Sequence, residues 1–141
     1  MSRSGYTDDC DTTWDWVCWR GAVASAIRGF RGQCFLQEMR RALDALPEKR
    51  LIAHELVDEY DPAAVCAIGA VGRSRGIDVA RVDPEDRDVV AAKFGIPPAM
   101  AAEIVYENDE GAGYWTKETP EERFERMREW VERHIRKAEP A

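Results

Sequence analysis

The sequence lacks any long run of apolar residues. Crossing a bilayer as a helix takes roughly 20 consecutive apolar residues, and charged or polar residues interrupt every stretch of this chain before that length. The opening residues, MSRSGYTDD, are too polar for the apolar core of a secretory signal peptide. We therefore predict a cytoplasmic protein that does not use a membrane as its partner.

Cysteine and histidine are scarce, and neither residue type forms a metal-binding pattern. Zinc sites use pairs of ligands a few residues apart, as in C-x2-C or H-x3-H. The cysteines of this chain are irregularly spaced and its histidines lie far apart: Cys10, Cys18, Cys34, Cys66, His54 and His134. We therefore expect reduced thiols, no metal and no cofactor.

A recognisable set of catalytic residues is also missing. Glu107, Asp109 and Glu110 form a cluster of carboxylates, but the sequence around them supplies no serine or histidine for a proton relay. The sequence therefore predicts that the protein is not an enzyme. A pocket that united Glu107, Asp109, His54 or a cysteine would revive a hydrolase or a transferase.

Charge is unevenly distributed along the first third of the chain. The net charge of -7, from 20 basic and 27 acidic residues, disfavours binding to nucleic acid. An acidic stretch nevertheless precedes a basic one, here called the Arg20–Arg41 basic hairpin. Its arginines could contact phosphate or an acidic partner, because a guanidinium matches either group, or they could pair with the nearby aspartates. The candidates for such contacts are Arg28, Arg31, Arg40 and Arg41.

The segment 90–104 has the outline of a helix-turn-helix, with alanines in its first half and Gly95 at the turn. Its second half, however, is predicted to turn Ala102 and Glu103 outward, and acidic residues follow. A helix that reads DNA needs basic or amide side chains there. We therefore favour a purely structural helical corner.

Apolar residues at helical spacing predict one helix over 16–30 and a second over 35–46, where Pro47 forbids continuation. Glycines between the two series supply the turn of a helical hairpin. Trp16 and Trp19 share one face of the first helix, so both are predicted to be core residues.

Capping residues stand directly before a proline at three places, a typical helix start. The capping oxygen accepts a hydrogen bond from a first-turn N–H, and proline gives up an N–H that had no partner. The three places are Asp61-Pro62, Asp83-Pro84 and Thr119-Pro120. We expect the helix that starts at Asp61 to end near Gly76 and the helix that starts at Asp83 to end near Gly95. Thr119 should form a capping box with Glu122. Another helix should start at Pro97 and end in a polar loop over 107–113.

Together these patterns predict a mainly α protein, a compact single-domain bundle of about five to six short helices. An acidic N-terminal segment, 1–15, precedes one helical domain over 16–138. Residues 51–57 fit a helix, a strand or irregular structure, and 77–82 alternate like a strand, which leaves room for one short two-stranded element. The predicted core includes Trp19, Val23, Ile27, Leu36, Met39, Leu43, Ile68, Phe94, Ile104, Phe124, Met127 and Val131.

Three aromatic residues lie outside the periodic segments and are candidates for binding a partner. Trp14 is predicted to precede the first helix, and Tyr114 and Trp115 follow the glycine-rich loop. An exposed aromatic side chain on a loop is a typical anchor of a protein interface, although these three could also cover the edge of the core. The predicted partner-binding residues are Trp14, Glu107, Asp109, Glu110, Tyr114 and Trp115.

Four stretches of the chain resemble a group of small acidic proteins encoded by tailed phages and prophages of proteobacteria. They read RGQCFLQEMRRALDALPEKRLIAHEL, CAIGAVGRSRGIDVARVDPED, FGIPPAMAAEIVYENDEG and TPEERFERMREWVERHI. The resemblance covers most of the chain after residue 15 and implies a phage protein made in the bacterial cytoplasm. It implies no activity, so it assigns no functional residue.

The first hypothesis is therefore a phage accessory protein that binds a host or phage protein, for example to inhibit a defence nuclease or to modulate a host enzyme. An acidic surface can compete for sites that hold nucleic acid. A homodimer is compatible with the sequence. The alternative is a nucleic-acid-binding regulator that uses the Arg20–Arg41 basic hairpin, and salt dependence of binding would distinguish the two.

Overall fold

Six helices make up the computed structural model, which describes residues 12–113 and 116–137. Their bounds are α1 Thr13–Arg28, α2 Phe30–Asp44, α3 Ala67–Arg75, α4 Arg87–Phe94, α5 Pro98–Glu110 and α6 Pro120–His134. No strand occurs within those residues, where a single antiparallel bridge joins Val57 to Val65. The predicted mainly α bundle of short helices is confirmed.

Helix α5 lies at the centre of the bundle. It packs against α1, α3, α4 and α6, while α2 packs on the other side against α1, α3 and α6. The chain bends by 108° between α4 and α5, so the segment 90–104 does form a helical corner. Ala102 and Glu103 are buried in it, and the prediction that they face outward is wrong because α1 covers this side of α5.

The helical hairpin of α1 and α2 turns on one glycine only. Gly29 ends α1 and begins α2 with an extended backbone. Gly32, predicted to share the turn, lies inside α2, where an added Cβ would stand 2.1 Å from the carbonyl oxygen of Ala26. Its small size therefore lets α1 and α2 meet closely. Helix α1 also begins at Thr13, three residues earlier than the apolar series indicates, because Thr12 accepts from the N–H of Asp15.

Two of the three predicted helix starts are wrong. Asp61 and Asp83 accept hydrogen bonds from N–H groups two residues on, at Ala63 and Glu85, over 3.1 and 2.9 Å. This bond closes a single turn that is not continued. Helix α3 starts later, with Cys66 as its N-cap, and α4 starts after Asp86. The predicted ends at glycines 76 and 95 are confirmed, and both have a left-handed backbone.

The third predicted start is confirmed. The Thr119 side chain accepts from the N–H of Glu122, and the Glu122 carboxylate accepts from the N–H of Thr119, each over 3.1 Å. Pro120 occupies the first helical position. Residues 51–57 are irregular, and 77–82 are irregular with a turn at 80–81 rather than a strand.

Every residue that the sequence predicts for the hydrophobic core, except one, is fully buried. Trp19 is only partly buried, and Trp16, which was also predicted to be buried, is 40% exposed. Full burial on α1 is reached at Val23 and Ile27, in the second half of the helix.

Arg75 on α3 connects that helix to α2 and α4. Its guanidinium donates to both carboxylate oxygens of Glu38 on α2, over 2.8 and 2.6 Å, and to the carbonyl oxygen of Phe94 on α4 over 3.2 Å. The same group lies over the rings of Phe35 and Phe94. Hydrogen bonding to Arg75 lowers the pKa of Glu38 from its ordinary value of 4.5.

Replacing Glu38 by glutamine should therefore lower the free energy of unfolding at neutral pH by about 1 kcal/mol. Between the lowered pKa and 4.5 the unfolded chain binds more protons than the folded chain. The contribution of the pair is complete above pH 4.5 and is lost as the pH falls through the lowered pKa of the folded state. Urea unfolding in acid and at neutral pH measures the difference in the free energy of unfolding between the wild type and the variant. Glu125→Gln, at an exposed position of α6, is the control. A difference as large in strong acid as at neutral pH would contradict the role of this pair.

Candidate functional site

The acidic cluster at 107–110 lies in the last turn of α5, and the predicted polar loop is wrong at these positions. Arg126 on α6 extends the helix by donating to the carbonyl oxygens of Glu107 and Asn108, over 2.6 and 3.1 Å. It also pairs with Glu118 over 2.6 Å and with the Glu107 carboxylate over 3.4 Å. The cation therefore satisfies carbonyl groups that a helix end otherwise leaves open.

Asp109 points into the protein and not towards solvent. Its side chain is 3% exposed and lies 3.9 Å from Nδ1 of His54, and it accepts from the His54 N–H over 3.0 Å. His54 has a left-handed backbone with φ of 75°, a conformation that costs about 1 kcal/mol or more outside glycine. The hydrogen bond from the His54 N–H to the Asp109 carboxylate helps to hold this conformation. Asp109 and half-buried Glu107 thus have structural partners, and the docking role predicted for the cluster stays a prediction.

The structure brings Asp109, His54 and Cys66 to one region, which is the arrangement that would revive an enzyme. Burial, however, raises the pKa of the Cys66 thiol to about 12, and its sulfur caps α3 by accepting from the N–H of Gly69 over 3.3 Å. A thiol that remains protonated at neutral pH is a poor nucleophile. This geometry supports a structural role for Cys66.

The predicted arginine surface is divided. Arg28, Arg31 and Arg41 are exposed, and Arg28 and Arg31 form no ion pair with any residue that the structure describes. Arg40 pairs with Glu132 on α6 over 3.4 Å. Since Arg31 and Arg40 are nine residues apart on α2, about half a turn separates their directions. The Arg20–Arg41 basic hairpin is therefore not one continuous face.

Arg20 instead fixes α1 to α5. It pairs with Glu103, whose side chain is 7% exposed, and its guanidinium lies 6.0 Å from the Trp16 ring centre. Burial raises the pKa of Glu103, while the charge of Arg20 and their hydrogen bond oppose the rise. The pair holds one side of α1 against the bundle and so determines which side faces outward.

The opposite side of α1 is apolar although it faces solvent. Trp14 is 72% exposed and Val17 51% exposed, and exposed Cys18, Gly21 and Ser25 continue the same side. These five residues are called the α1 outer face. The other four lie three, four or seven positions from Gly21, which places all five on one side of a helix. The prediction that Trp14 is exposed holds, but its position before the helix is wrong.

The α1 outer face carries no charge from Trp14 to Ser25, and Arg28 follows on the same side at the end of the helix. The charged residues of α1 are Asp15 near its start, Arg28 at its end and Arg20, which faces Glu103. By contrast, nine of the fifteen residues of α6 are charged. A surface helix normally presents charged side chains to water, so an uncharged outer face with an exposed tryptophan is typical of a contact surface.

Packing within the described residues does not require a glycine at position 21, the centre of this face. A Cβ added there would meet nothing within 4 Å among the described residues, and its backbone is helical. Glycine in the interior of a helix costs about 1 kcal/mol relative to alanine. The spacing of Trp14, Val17 and Gly21 indicates this face in the sequence, whereas Trp16 and Trp19 mark a different side of α1.

The other features considered in the sequence add nothing to the α1 outer face. Tyr114 and Trp115 lie outside the described residues. Within 12–113 and 116–137, no group of three or more histidine, cysteine, aspartate or glutamate residues is placed to hold a metal ion. In the same part of the chain no single helix has both the length and the apolar character to cross a membrane.

Comparison with known proteins adds no relative. No protein-family model, curated protein or solved structure matches this chain.

Proposed function

We propose that this protein is a phage accessory factor that acts in the bacterial cytoplasm by binding a host or phage protein through the α1 outer face. The observation that carries the proposal is the exposure of Trp14 at 72% and Val17 at 51%, on a side of α1 that is uncharged from Trp14 to Ser25. The phage origin is supported only by the resemblance of the four sequence stretches.

Binding rather than catalysis also agrees with how the candidate catalytic groups are used. Asp109 holds His54, and Cys66 caps α3 with a thiol whose pKa is raised to about 12. On α1, by contrast, the side chains of Trp14 and Val17 are 72% and 51% exposed. Tryptophan is among the residues that contribute most to protein interfaces.

Nucleic-acid binding remains the second candidate because Arg28 and Arg31 are exposed and form no ion pair with a described residue. Arg40, however, is engaged by Glu132 and faces another side of α2, and the net charge is -7. Binding through several phosphates weakens steeply with salt, whereas binding through an apolar helix face does not. Titration at two salt concentrations distinguishes the two functions.

Replacing Trp14 and Val17 together by serine should weaken binding to a captured protein partner roughly thirty-fold, about 2 kcal/mol. Both side chains are more than half exposed, so the melting temperature should change little. The experiment is affinity capture from proteobacterial cells that express the protein, followed by calorimetric titration of the partner.

The matched control replaces Tyr60 and Val89 by serine, because they are another exposed aromatic and another exposed valine, at 88% and 47%. This control should bind normally. Equal binding by both double variants would remove the α1 outer face as the docking surface and leave Tyr114 and Trp115 as the next residues to test.

A further inference from the structure

We propose that a second copy of this chain occupies the α1 outer face, packed antiparallel to the first about Gly21. This inference rests on the proposed function, since it names the partner of the same face. It is carried by three features of α1: the symmetric placement of its residues, the opposite charges at its two ends, and the open space at its centre.

The residues of α1 are placed almost symmetrically around Gly21. Trp14 lies seven positions before it and Arg28 seven positions after it. In an antiparallel pair that crosses at Gly21, Trp14 of each copy therefore stands opposite Arg28 of the other. A guanidinium over an indole ring is a favourable contact, and twofold symmetry forms it twice.

The ends of α1 carry opposite charges that form no ion pair within residues 12–113 and 116–137. Asp15 is exposed in the first turn, and Asp8, Asp9 and Asp11 precede it in the sequence. Arg28 is exposed in the last turn and Arg31 follows it. Neither arginine pairs with a residue in the described part of the chain. An antiparallel arrangement brings each acidic end to a basic end, whereas a parallel one would place like charges together.

The centre of α1 allows another helix to come close. Gly21 has nothing within 4 Å of the position of a Cβ among the described residues, and small Cys18 and Ser25 lie on either side of it. Helices pack at axis separations of about 8–10 Å, with the lower values at small side chains. Antiparallel helices also bring opposite ends of their dipoles together. One helix pair is smaller than a standard interface, so we expect a dimer with micromolar affinity.

Sedimentation velocity over a concentration series tests the oligomeric state of the protein. The wild-type protein should move from the chain mass of 16.0 kDa to twice that value as the concentration rises. Gly21→Arg places two cations at the symmetry axis and should weaken the dimer at least ten-fold. Ala92→Arg, at an exposed alanine of α4, should leave it unchanged. Circular dichroism checks that both variants remain helical.

A charge swap tests the antiparallel arrangement. Asp15→Arg and Arg28→Asp should each weaken the dimer several-fold, because each puts like charges together at both ends. The double variant should recover much of the lost affinity. Within one chain the two positions are thirteen residues apart, about 20 Å along the helix, which exceeds the screening length of about 8 Å at physiological salt. Rescue must therefore act between copies. Asp88→Arg, also an exposed aspartate in a first turn, is the control.

A concentration-dependent dimer that Gly21→Arg disrupts and the charge swap restores supports the proposal. A chain that stays monomeric at high concentration, a dimer insensitive to Gly21→Arg, or a swap without rescue overturns it. If the chain is monomeric but Trp14 and Val17 are still needed to capture another protein, only this inference fails. If they are needed for neither, the proposed function fails as well.

Discussion

Replacing Ile104 by aspartate should unfold the domain. Ile104 is fully buried at the centre of α5, the helix that packs against α1, α3, α4 and α6. An unpaired carboxylate there costs several kcal/mol, and a domain of this size has only about 5–15 kcal/mol of stability. The expected result is loss of the cooperative thermal transition and of most helical signal in circular dichroism at neutral pH.

Val89→Asp is the matched control for this substitution. Valine is also branched and apolar, but Val89 on α4 is 47% exposed, so the new carboxylate keeps its water. Its melting temperature should lie close to that of the wild type. An Ile104→Asp protein that melts like the wild type would show that the position is not in the core.

Replacing Gly69 by alanine should destabilise the fold by about 1–3 kcal/mol or more. An added Cβ at this position of α3 would stand 1.8 Å from the carbonyl oxygen of Leu56 and 3.1 Å from Cβ of Val65. The nearest atom belongs to the backbone, so no side-chain rotation relieves the overlap. Either α3 or the segment around Leu56 has to move, and the hydrogen bond from the Cys66 N–H to the Leu56 carbonyl would be strained.

Gly21→Ala provides a control with the opposite sign. It is also a helical glycine, but a Cβ there has open space, so alanine should raise the stability by up to about 1 kcal/mol. Chemical denaturation in dilute protein measures both variants. A Gly69→Ala protein as stable as the wild type would mean that the contact between α3 and Leu56 is looser than described.

The parts of the fold that the sequence predicted well depend on local signals. The capping box of Thr119 and Glu122 forms within four residues, and glycines 76 and 95 end their helices by a backbone conformation that few other residues adopt. Such signals do not need the rest of the protein. The apolar series of α2 is confirmed because one side of that helix is buried along its length, although the helix begins at Phe30 and not at 35.

The errors occurred where the outcome depends on distant residues or on two local options of equal merit. Asp61 and Asp83 can cap a helix or close a turn, and both bonds use the same oxygen. The end of α5 is fixed by Arg126, nearly twenty positions away in the chain. Helix continuation through the acidic residues could not be predicted without knowing that this cation is there.

Only part of the candidate site could be predicted from the sequence. The exposure of Trp14 followed from its position ahead of the apolar series, but the burial predicted for Trp16 was wrong. Periodicity shows which residues share a side of a helix and does not show how far the neighbouring helix extends. The α1 outer face depends on that extent and on the pairing of Arg20 with Glu103.

Asn108 joins both ends of the irregular segment 52–67 to the central helix α5. Its side chain accepts from the N–H of Ala67 over 3.1 Å and donates to the carbonyl of Ile52 over 3.0 Å, and the residue is 1% exposed. If residues 52–67 detached from α5, a buried amide would lose its partners. The irregular segment and the central helix therefore open together, and the Ala67 amide should exchange its hydrogen at the slow rate of the core although it belongs to no interior helical turn.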